Sequence, residues 1–596
     1  MCGILAIARL DDRPLDLTDN QGRRMRDTLA HRGPDGQGLW RTDGVALAQR
    51  RLEVIAPGHA GHQPMHSADG RWSLVYNGEA YNDAELRESL GPAAPRSPCD
   101  TATIVQLLQA EGPDGLSRIR GMFAIAAYDH AERRLVLARD PLGIKPLVYG
   151  FADGGRELVA ASEVAAIFAH PGISPAIDPL GVSAYLTTIR TATAGRTMFE
   201  GVRMLQPGEV LEFDLRTGAS RGWRLGTEAD AATPTREALV DSVRAHLRAD
   251  APVCSLLSGG LDSAIITGIA RGHEHGIATF TAGDDAADGG KNDDADPAHA
   301  RRLAEEWGLP LAEVRLDAGG FVRGIETLIE RTGQPVGTPN EAAIHALGCA
   351  MRARGYVVTL SGEGADELFG GYHGPLSEAA AHVDAGDRDP GLHHLLSAAW
   401  MTPEATQLVL APHLAQRVQG DAWLVESYRA AFEEEAARPG PAVASPRDAA
   451  MRAHMRFLRR INLTGLLQRL DSTLSQSGIE GRVPFADRRV WAHADALATE
   501  CLFDPTRPPH EGTKIALRRA FAGDLPERVL SRPKASFPLP FQRWLPALVA
   551  RIDGDPIVRD VVAGEAWELV RGDPATHWRL AWPMANVALW ARRWFG

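Results

Sequence analysis

Two short runs in this sequence carry the residue types of an anion site. "LLSGGLDSA" (Leu256–Ala264) joins an apolar run to an apolar-periodic segment through two adjacent glycines. Gly259 and Gly260 let the backbone turn tightly and expose N–H groups at a helix N-terminus, where geometry and the helix dipole both favour negative charge. The lysine of a P-loop is missing, so this is a different phosphate device. Asp262 stands inside the turn, where a carboxylate repels phosphate unless a cation bridges the two, a usual task of Mg²⁺. "LSGEGADE" (Leu360–Glu367) repeats the arrangement: a β run, a Ser-Gly loop, and an acid, Asp366, near a helix start. Two strand ends so equipped read as opposite walls of one nucleotide crevice at the C-terminal edge of a parallel sheet.

A third candidate lies at the other end of the chain, in "MCGIL". Cys2 admits two readings. It packs as a small hydrophobe at the start of an apolar strand, or removal of Met1 leaves its thiol beside its own α-amine, whose reference pKa near 7.7–8.0 suits it to accept the thiol proton. Position alone does not choose between them.

The elements that must position these residues fall into two rhythms. Up to about residue 215, "GILAIARL", "WSLVYNGE", "MFAIAAYD" and "RLVLARD" have the length and apolar character of strands, with "DAELRESL" and "DTATIVQLLQAEG" as helices between them. That mixture suggests a layered α+β sandwich. Residues 216–235 are polar and without periodicity, and read as a linker between domains at 2–215 and 236–596. Beyond it, "PVCSLLSGGLDSAIITGIA", "IATFTAG" and "YVVTLSGEGADELFGGY" alternate strand, loop and helix, the rhythm of a doubly wound parallel α/β sheet. Helical, alanine-rich text follows to about Arg460. "EEEAARPGPAVASP" and the acidic run Ala282–Ala298 read as loops.

Composition excludes several classes. With 596 residues, two or three domains are expected. A net charge of −12 leaves no overall footprint for nucleic acid or an anionic membrane, and the basic run Met451–Arg460 reads as a solvated helix face. The five cysteines are scattered without a CxxC pair, which argues against disulfides or zinc. No secretory signal or apolar span stands out, so a cytoplasmic protein is expected.

The motifs together resemble a known family. "SGGLDS" matches the pyrophosphate loop of ATP pyrophosphatases. With "SGEGADELFGGY", "GIEGRVPFADRR", "GTKIALRRAF" and "LPERVLSRPKASFPLPFQRWL" it resembles the synthetase half of a glutamine-hydrolysing asparagine synthetase. "MCGI", "HRGPDG", "QRRLEVI", "YNGEAYN", "CDTATI", "GMFAIAAYD" and "LARDPLGIKPLVY" resemble its class II glutamine amidotransferase half, an N-terminal nucleophile hydrolase.

The resemblance implies that Cys2 is the nucleophile, with the Asn77 side chain and the Gly78 N–H as oxyanion donors. Arg51, Leu52, Glu79 and Asp100 would bind glutamine, Arg51 clamping its α-carboxylate and Asp100 its α-ammonium. Ser258, Gly259, Gly260 and Ser263 would hold pyrophosphate, and Asp262 and Asp366 would ligate Mg²⁺. Leu256, Ala282, Ser361 and Gly362 would form the adenosine side. Glu363 would take a proton from ammonia, Lys514 would neutralise the adenylate, and Arg532–Phe537 would order over pyrophosphate. The implied substrates are glutamine, ATP and a carboxylate, aspartate first, with a paralogue amidating another carboxylate or a non-catalytic sensor as alternatives. Ammonia would cross between the domains as neutral NH₃. Members are often homodimers, which makes a homodimer an expectation here. Four positions depart from the usual pattern: Ala102 replaces an acid, Ser472 an arginine, Ser475 a methionine and Ser536 a glycine.

Overall fold

The computed structural model describes residues 2–226, 233–274, 276–284, 296–386, 389–438, 445–534 and 539–596. Fourteen described strands precede residue 225: β1 Gly3–Arg9, β2 Gly36–Arg41, β3 Val45–Arg51, β4 Met65–His66, β5 Trp72–Ala80, β6 Gly121–Asp129, β7 Arg134–Arg139, β8 Val148–Ala152, β9 Glu157–Ala161, β10 Ala192–Thr193, β11 Arg196–Thr197, β12 Arg203–Met204, β13 Glu209–Asp214 and β14 Ser220–Arg224. They form two antiparallel sheets, ordered β10-β11-β12-β8-β9-β1-β3-β2 and β14-β13-β7-β6-β5-β4. All seven residues of β1 are buried, because both of its faces are covered. Ile4, Ala6 and Ala8 enter the core between the sheets with Val75, Ala124 and Leu137, while Leu5 and Ile7 face Met25, Leu29 and the C-terminal helix Trp578–Phe595. The strand period of two thus sorts alternate residues into two cores. The second sheet is covered by the Asp100–Glu111 helix through Ile104, Leu107 and Leu108. The four strands and two helices expected in this half are all present.

Part of the expected linker is instead sheet. Ser220–Arg224 pairs antiparallel with β13 as β14, an edge strand whose side chains are mostly exposed. An edge that faces water needs no apolar alternation, so its sequence does not announce a strand. Residues 227–232 lie outside the described residues, and a helix begins at Thr235.

The C-terminal half is built on β15 Val253–Leu256, β16 Ala278–Asp284, β17 Leu311–Leu316, β18 Val358–Leu360 and β19 Glu480–Arg482, all parallel, in the order β17-β16-β15-β18-β19. The order reverses between β15 and β18, which makes the crevice above those two strands the topological switch point. Helical additions make up most of the described residues between His373 and Ser475. Of the expected loop at "EEEAARPGPAVASP", Glu433–Ala437 continues the Ala422–Ala437 helix, as its helix-favouring Glu and Ala residues allow; residues 439–444 lie outside the described residues. So do residues 285–295 of the acidic run, while Asp296 already starts the helix to Trp307. Among the described residues, no helix is long and apolar enough to cross a membrane.

Candidate active site

The residues expected to bind glutamine converge. Cys2, Arg51, Leu52, Gly78, Glu79 and Asp100 line one small cleft of about 30 Å³. Asn77, on β5, sits just behind it. Its Oδ1 accepts from the Cys2 nitrogen at 2.7 Å, while its Nδ2 is buried with no hydrogen-bond partner. A buried, unpartnered donor costs about 1–3 kcal/mol, and beside a thiol it has the chemistry to meet an oxyanion. Burial pushes the Cys2 thiol up from its ordinary value, so the proton must be taken by a neighbouring base.

Asp100 is buried at the start of its helix and accepts from the Ala80 N–H at 3.0 Å, the Thr101 N–H at 2.8 Å and the Tyr76 hydroxyl at 3.3 Å; burial raises its pKa. Arg51 is placed differently from a simple clamp. Its Nη1 donates to Gly58 O at 2.7 Å and Glu53 at 3.2 Å, and its Nη2 to Ile55 O at 2.9 Å and Ala56 O at 2.7 Å. A bidentate grip on a carboxylate would have to displace two of these acceptors.

Two charged residues of this cleft were not singled out from sequence. Glu480 lines it from β19, the edge strand of the other half. Arg482 bonds Glu480 at 2.8 Å through Nε and pairs with Glu79 at 3.3 Å. Against the cost of burial, the amino-terminal charge and Arg482 hold Glu480 down to about 2. Burial instead pushes Glu79 well up. The only sequence signal was the motif "GIEGRVPF", which belongs to the other domain.

A buried ion cluster joins the halves beside the cleft. Arg32 donates to Cys2 O at 3.1 Å, to Glu163 at 2.9 Å, to Asp471 at 2.6 Å and to Ser475 Oγ at 3.2 Å. Lys145 meets the other Asp471 oxygen at 2.9 Å. Burial opposes ionisation of Asp471, yet Arg32 and Lys145 hold its pKa below the usual range.

In the C-terminal half, the turn after β15 opens the Leu261–Ala270 helix. Gly259 has φ +72°, and a Cβ there would lie 2.6 Å from His299, so only glycine fits. Ser263 Oγ accepts from the Ser258 N–H at 3.1 Å and lies 3.0 Å from Ser258 Oγ, which orders the turn around Gly260. The loop after β18 approaches it closely: a Cβ on Gly362 would be 2.9 Å from Asp262 and Ser263. Ser361 is tied to β19 by its N–H to Arg482 O at 2.9 Å. Leu256 ends β15, and Ala282 is buried on the neighbouring β16.

Lys514 stands between the two carboxylates, its Nζ 2.6 Å from Asp262 and 2.7 Å from Asp366. Burial opposes its charge, but the two acids hold its pKa above the ordinary lysine value. The Asp366 Oδ1 contact lies off the hydrogen-bond direction, leaving that buried oxygen without a hydrogen-bond partner. Against burial, Lys514 and Lys534 hold Asp366 down to about 2, while burial and the Asp366 charge push Asp262 up. Two convergent carboxylates with an under-satisfied oxygen are a hard-cation donor set of the size Mg²⁺ takes from protein when phosphates complete its shell. Among the described residues no larger His/Cys/Asp/Glu cluster of metal-binding geometry occurs. Glu363 Oε1 accepts from Arg469 Nη2 at 2.5 Å. Of the expected ordering loop, Lys534 pairs with Asp366 at 2.5 Å and Arg532 with Asp296 at 2.7 Å; residues 535–538, Ser536 among them, lie outside the described residues.

Two packed antiparallel sheets holding a thiol cleft, followed by a doubly wound parallel sheet with Ser-Gly turns at its switch point, have the architecture of an N-terminal-nucleophile amidotransferase fused to an ATP-pyrophosphatase-type domain. The family model described as a glutamine amidotransferase domain matches residues 1–223, and that described as asparagine synthase matches residues 235–592. The chain belongs to the glutamine-hydrolysing asparagine synthetase family and is an enzyme of that amidotransferase-ligase type. It is 30% identical to the glutamine-hydrolysing asparagine synthetase 3 of Bacillus subtilis strain 168, over 86% of this chain and 83% of that one. It is 28% identical to asparagine synthetase 1 of the same strain, over 91% and 88%. It is also 29% identical to the amidase chry2 of Gibberella zeae, over 60% and 56%.

Proposed function

We propose that the enzyme hydrolyses glutamine at Cys2 and delivers the ammonia to a carboxylate activated by ATP as its AMP ester, releasing pyrophosphate. The observation that carries this reading is the position of Glu480. It lines the thiol cleft from β19, and β19 is hydrogen-bonded to β18, whose C-terminal loop carries Glu363. Val358 is opposite Glu480 in register, so Glu363 follows about five residues beyond the level of Glu480, within roughly 15–20 Å along the strand and its loop.

Each step has its residues. With Met1 removed, the Cys2 amine takes the thiol proton and Asn77 Nδ2 donates to the oxyanion of the tetrahedral intermediate, a contribution of about 2.7–4 kcal/mol for such a donor. Gly78 supplies the second donor, Asp100 receives the glutamine ammonium, and Arg51, Leu52 and Glu79 enclose the rest of the substrate. In the crevice, Ser258, Gly259, Gly260 and Ser263 cradle pyrophosphate at the helix N-terminus; Leu256, Ala282, Ser361 and Gly362 face the adenosine. Asp262 and Asp366 would hold Mg²⁺, which supplies charge neutralisation for the phosphates. Lys514 then turns from the acids to the phosphoryl oxygens, and Glu363 accepts a proton as ammonia attacks the ester.

Aspartate, named through the products of the two Bacillus relatives, is the first acceptor to test. A second reading, another carboxylate, is favoured by Ser472, which faces a cavity of about 250 Å³ beside Arg469. Pyrophosphate release with ATP, Mg²⁺ and glutamine, with and without L-aspartate, separates them: aspartate-dependent release with asparagine in the mass spectrum supports the first. Glutamate release without any response to aspartate supports the second. Neither glutamate nor pyrophosphate formed, with any acceptor, would overturn both.

A further inference from the structure

The basic run Met451–Arg460, expected to be a solvated helix face, is buried: Arg452, Arg456 and Arg459 are 8%, 6% and 5% exposed. It forms one wall of a second cavity, of about 440 Å³, between the two halves of the chain. Among the described residues, seven arginines and two acids, Glu434 and Glu435, line it, in a protein whose net charge is −12. Three of the arginines are neutralised: Arg459 pairs with Asp495 at 2.6 Å, Arg460 with Glu434 at 2.5 Å and Arg438 with Glu435 at 3.1 Å. The others are not. Arg139 gives its N–H groups to three backbone carbonyls, Arg190 binds Ile461 O and Asn462 Oδ1, and Arg224 binds Pro207 O. Arg456 has a buried Nε with no hydrogen-bond partner, the nearest carboxylate oxygen being 3.8 Å away on Asp495. Its pKa is lowered by burial, against the opposing pull of Asp495, and the neighbouring cations Arg459, Arg438 and Arg452 add to the lowering. Buried, uncompensated guanidinium groups are costly unless an anion meets them.

The wall also breaks helical regularity. Residues Arg459–Leu463 form a single π-helical turn between the Pro446–Leu458 and Thr464–Ser475 helices, a distortion found often at functional sites. It places Arg459, Arg460 and Ile461 on the cavity.

This cavity adjoins the smaller one. Arg190, Ala192, Met204, Gly465 and Gln468 line both, and the smaller one is lined by Arg469, which holds Glu363. Arg456 and Arg469 lie thirteen residues apart on this run of helix, roughly 15–20 Å along its axis. Free aspartate is too short to reach from one to the other.

We infer that the two cavities together form the acceptor site, and that the acceptor is an extended organic acid. Its reacting carboxylate lies at Arg469 and Glu363, and a second anionic group about 15–20 Å away is met by Arg456 and the unneutralised arginines beside it. This inference rests on the proposed amidation of a carboxylate and names the chemical class of that carboxylate. Apolar residues also line the larger cavity, Leu463 and Leu205 among them, which suits an acceptor with an uncharged middle.

The test is titration calorimetry of the full-length enzyme at low salt, with oligoglutamates as probes. Pentaglutamate extends to about 17 Å and diglutamate to about 7 Å. Saturable binding of pentaglutamate is expected, at least about tenfold tighter than diglutamate and weakening as salt rises. It should fall at least about tenfold in both Arg456→Gln and Arg469→Gln, and Arg456→Lys should recover most of the loss. Arg224→Gln, at an exposed edge strand, should weaken it in the same direction. No saturable binding at about 1 mM overturns the inference, as does binding indifferent to Arg456→Gln. Binding that responds to Arg456→Gln alone would make the outer cavity an effector site and overturn the acceptor assignment. Glutamate release from glutamine, measured on the same preparations, reports separately on the proposed function. Glutaminase turnover without peptide binding removes only this inference, whereas peptide binding without any turnover removes the reaction.

Discussion

Replacing Asp471 by asparagine tests whether the junction between the halves is an electrostatic cluster or merely a packed surface. Arg32 and Lys145 are fully buried and Asp471 is 2% exposed. Asp471 meets the Lys145 ammonium with one oxygen and the Arg32 guanidinium with the other, and Arg32 also pairs with Glu163. Asp471→Asn therefore removes the carboxylate in direct contact with both buried cations, in a low-dielectric setting. Breaking a buried ion pair on one side costs about 3–5 kcal/mol. For a unit of about 200 residues this lowers the melting temperature by about 10 °C. Adding Lys145→Met, which removes the stranded charge, should recover part of the loss. The pH dependence follows from the direction of the shift. Asp471 has a depressed pKa in the folded protein, so its stabilisation is complete above the unfolded value near 3.9 and disappears as pH falls through the lower folded value. The wild-type advantage over Asp471→Asn should therefore shrink only in acid. Differential scanning calorimetry of the three proteins between neutral pH and about pH 3 is the assay. A loss under about 1 kcal/mol, or no recovery in the double variant, would refute the reasoning, since it would mean that water or backbone groups already compensate these charges.

Other expectations follow from single residues. Cys2→Ala should abolish glutamate release while free ammonia still supports acceptor-dependent pyrophosphate release, read by a coupled phosphate assay. Asn77→Ala, which deletes the unpartnered Nδ2, should lower glutaminase kcat by about 10²–10³; a loss confined to KM would contradict the oxyanion role. Lys514→Met should cut pyrophosphate release by roughly 100-fold or more without raising the Mg²⁺ concentration needed, because the cation lost competes with Mg²⁺ for Asp262 and Asp366. Glutamate release should be insensitive to that change.

Much of the site was legible because its chemistry is local. Ser258, Gly259, Gly260 and Asp262 occupy one strand-to-helix turn, and the spacing of Gly and Asp there follows from what a phosphate and a cation need. The loop after β18 repeats the same local device. Cys2 was legible only through the resemblance, since a cysteine at position 2 packs equally well in a first strand. What escaped was non-local. Glu480 and Arg482 reach the thiol cleft from the last strand of the other domain, and no periodicity in "GIEGRVPF" marks that destination. The arginines of Met451–Arg460 were expected in solvent because charge on a helix normally points there; the structure instead sets Arg456, Arg459 and Arg460 in the wall of a cavity that Arg139 and Arg190, more than 250 residues away in sequence, also line. β14 escaped for the opposite reason, being an edge strand with almost nothing to bury.

The most direct test of the central claim follows the nitrogen. The purified enzyme is given glutamine labelled with ¹⁵N in its amide, ATP, Mg²⁺, an acceptor carboxylate that supports pyrophosphate release, and an excess of unlabelled ammonium, and the amide product is weighed by mass spectrometry. Retention of most of the label, with glutamate and pyrophosphate formed in equal amounts, is the predicted result, because nitrogen freed at Cys2 passes within the protein to Glu363. Label diluted to the composition of the bulk ammonium pool would contradict the account.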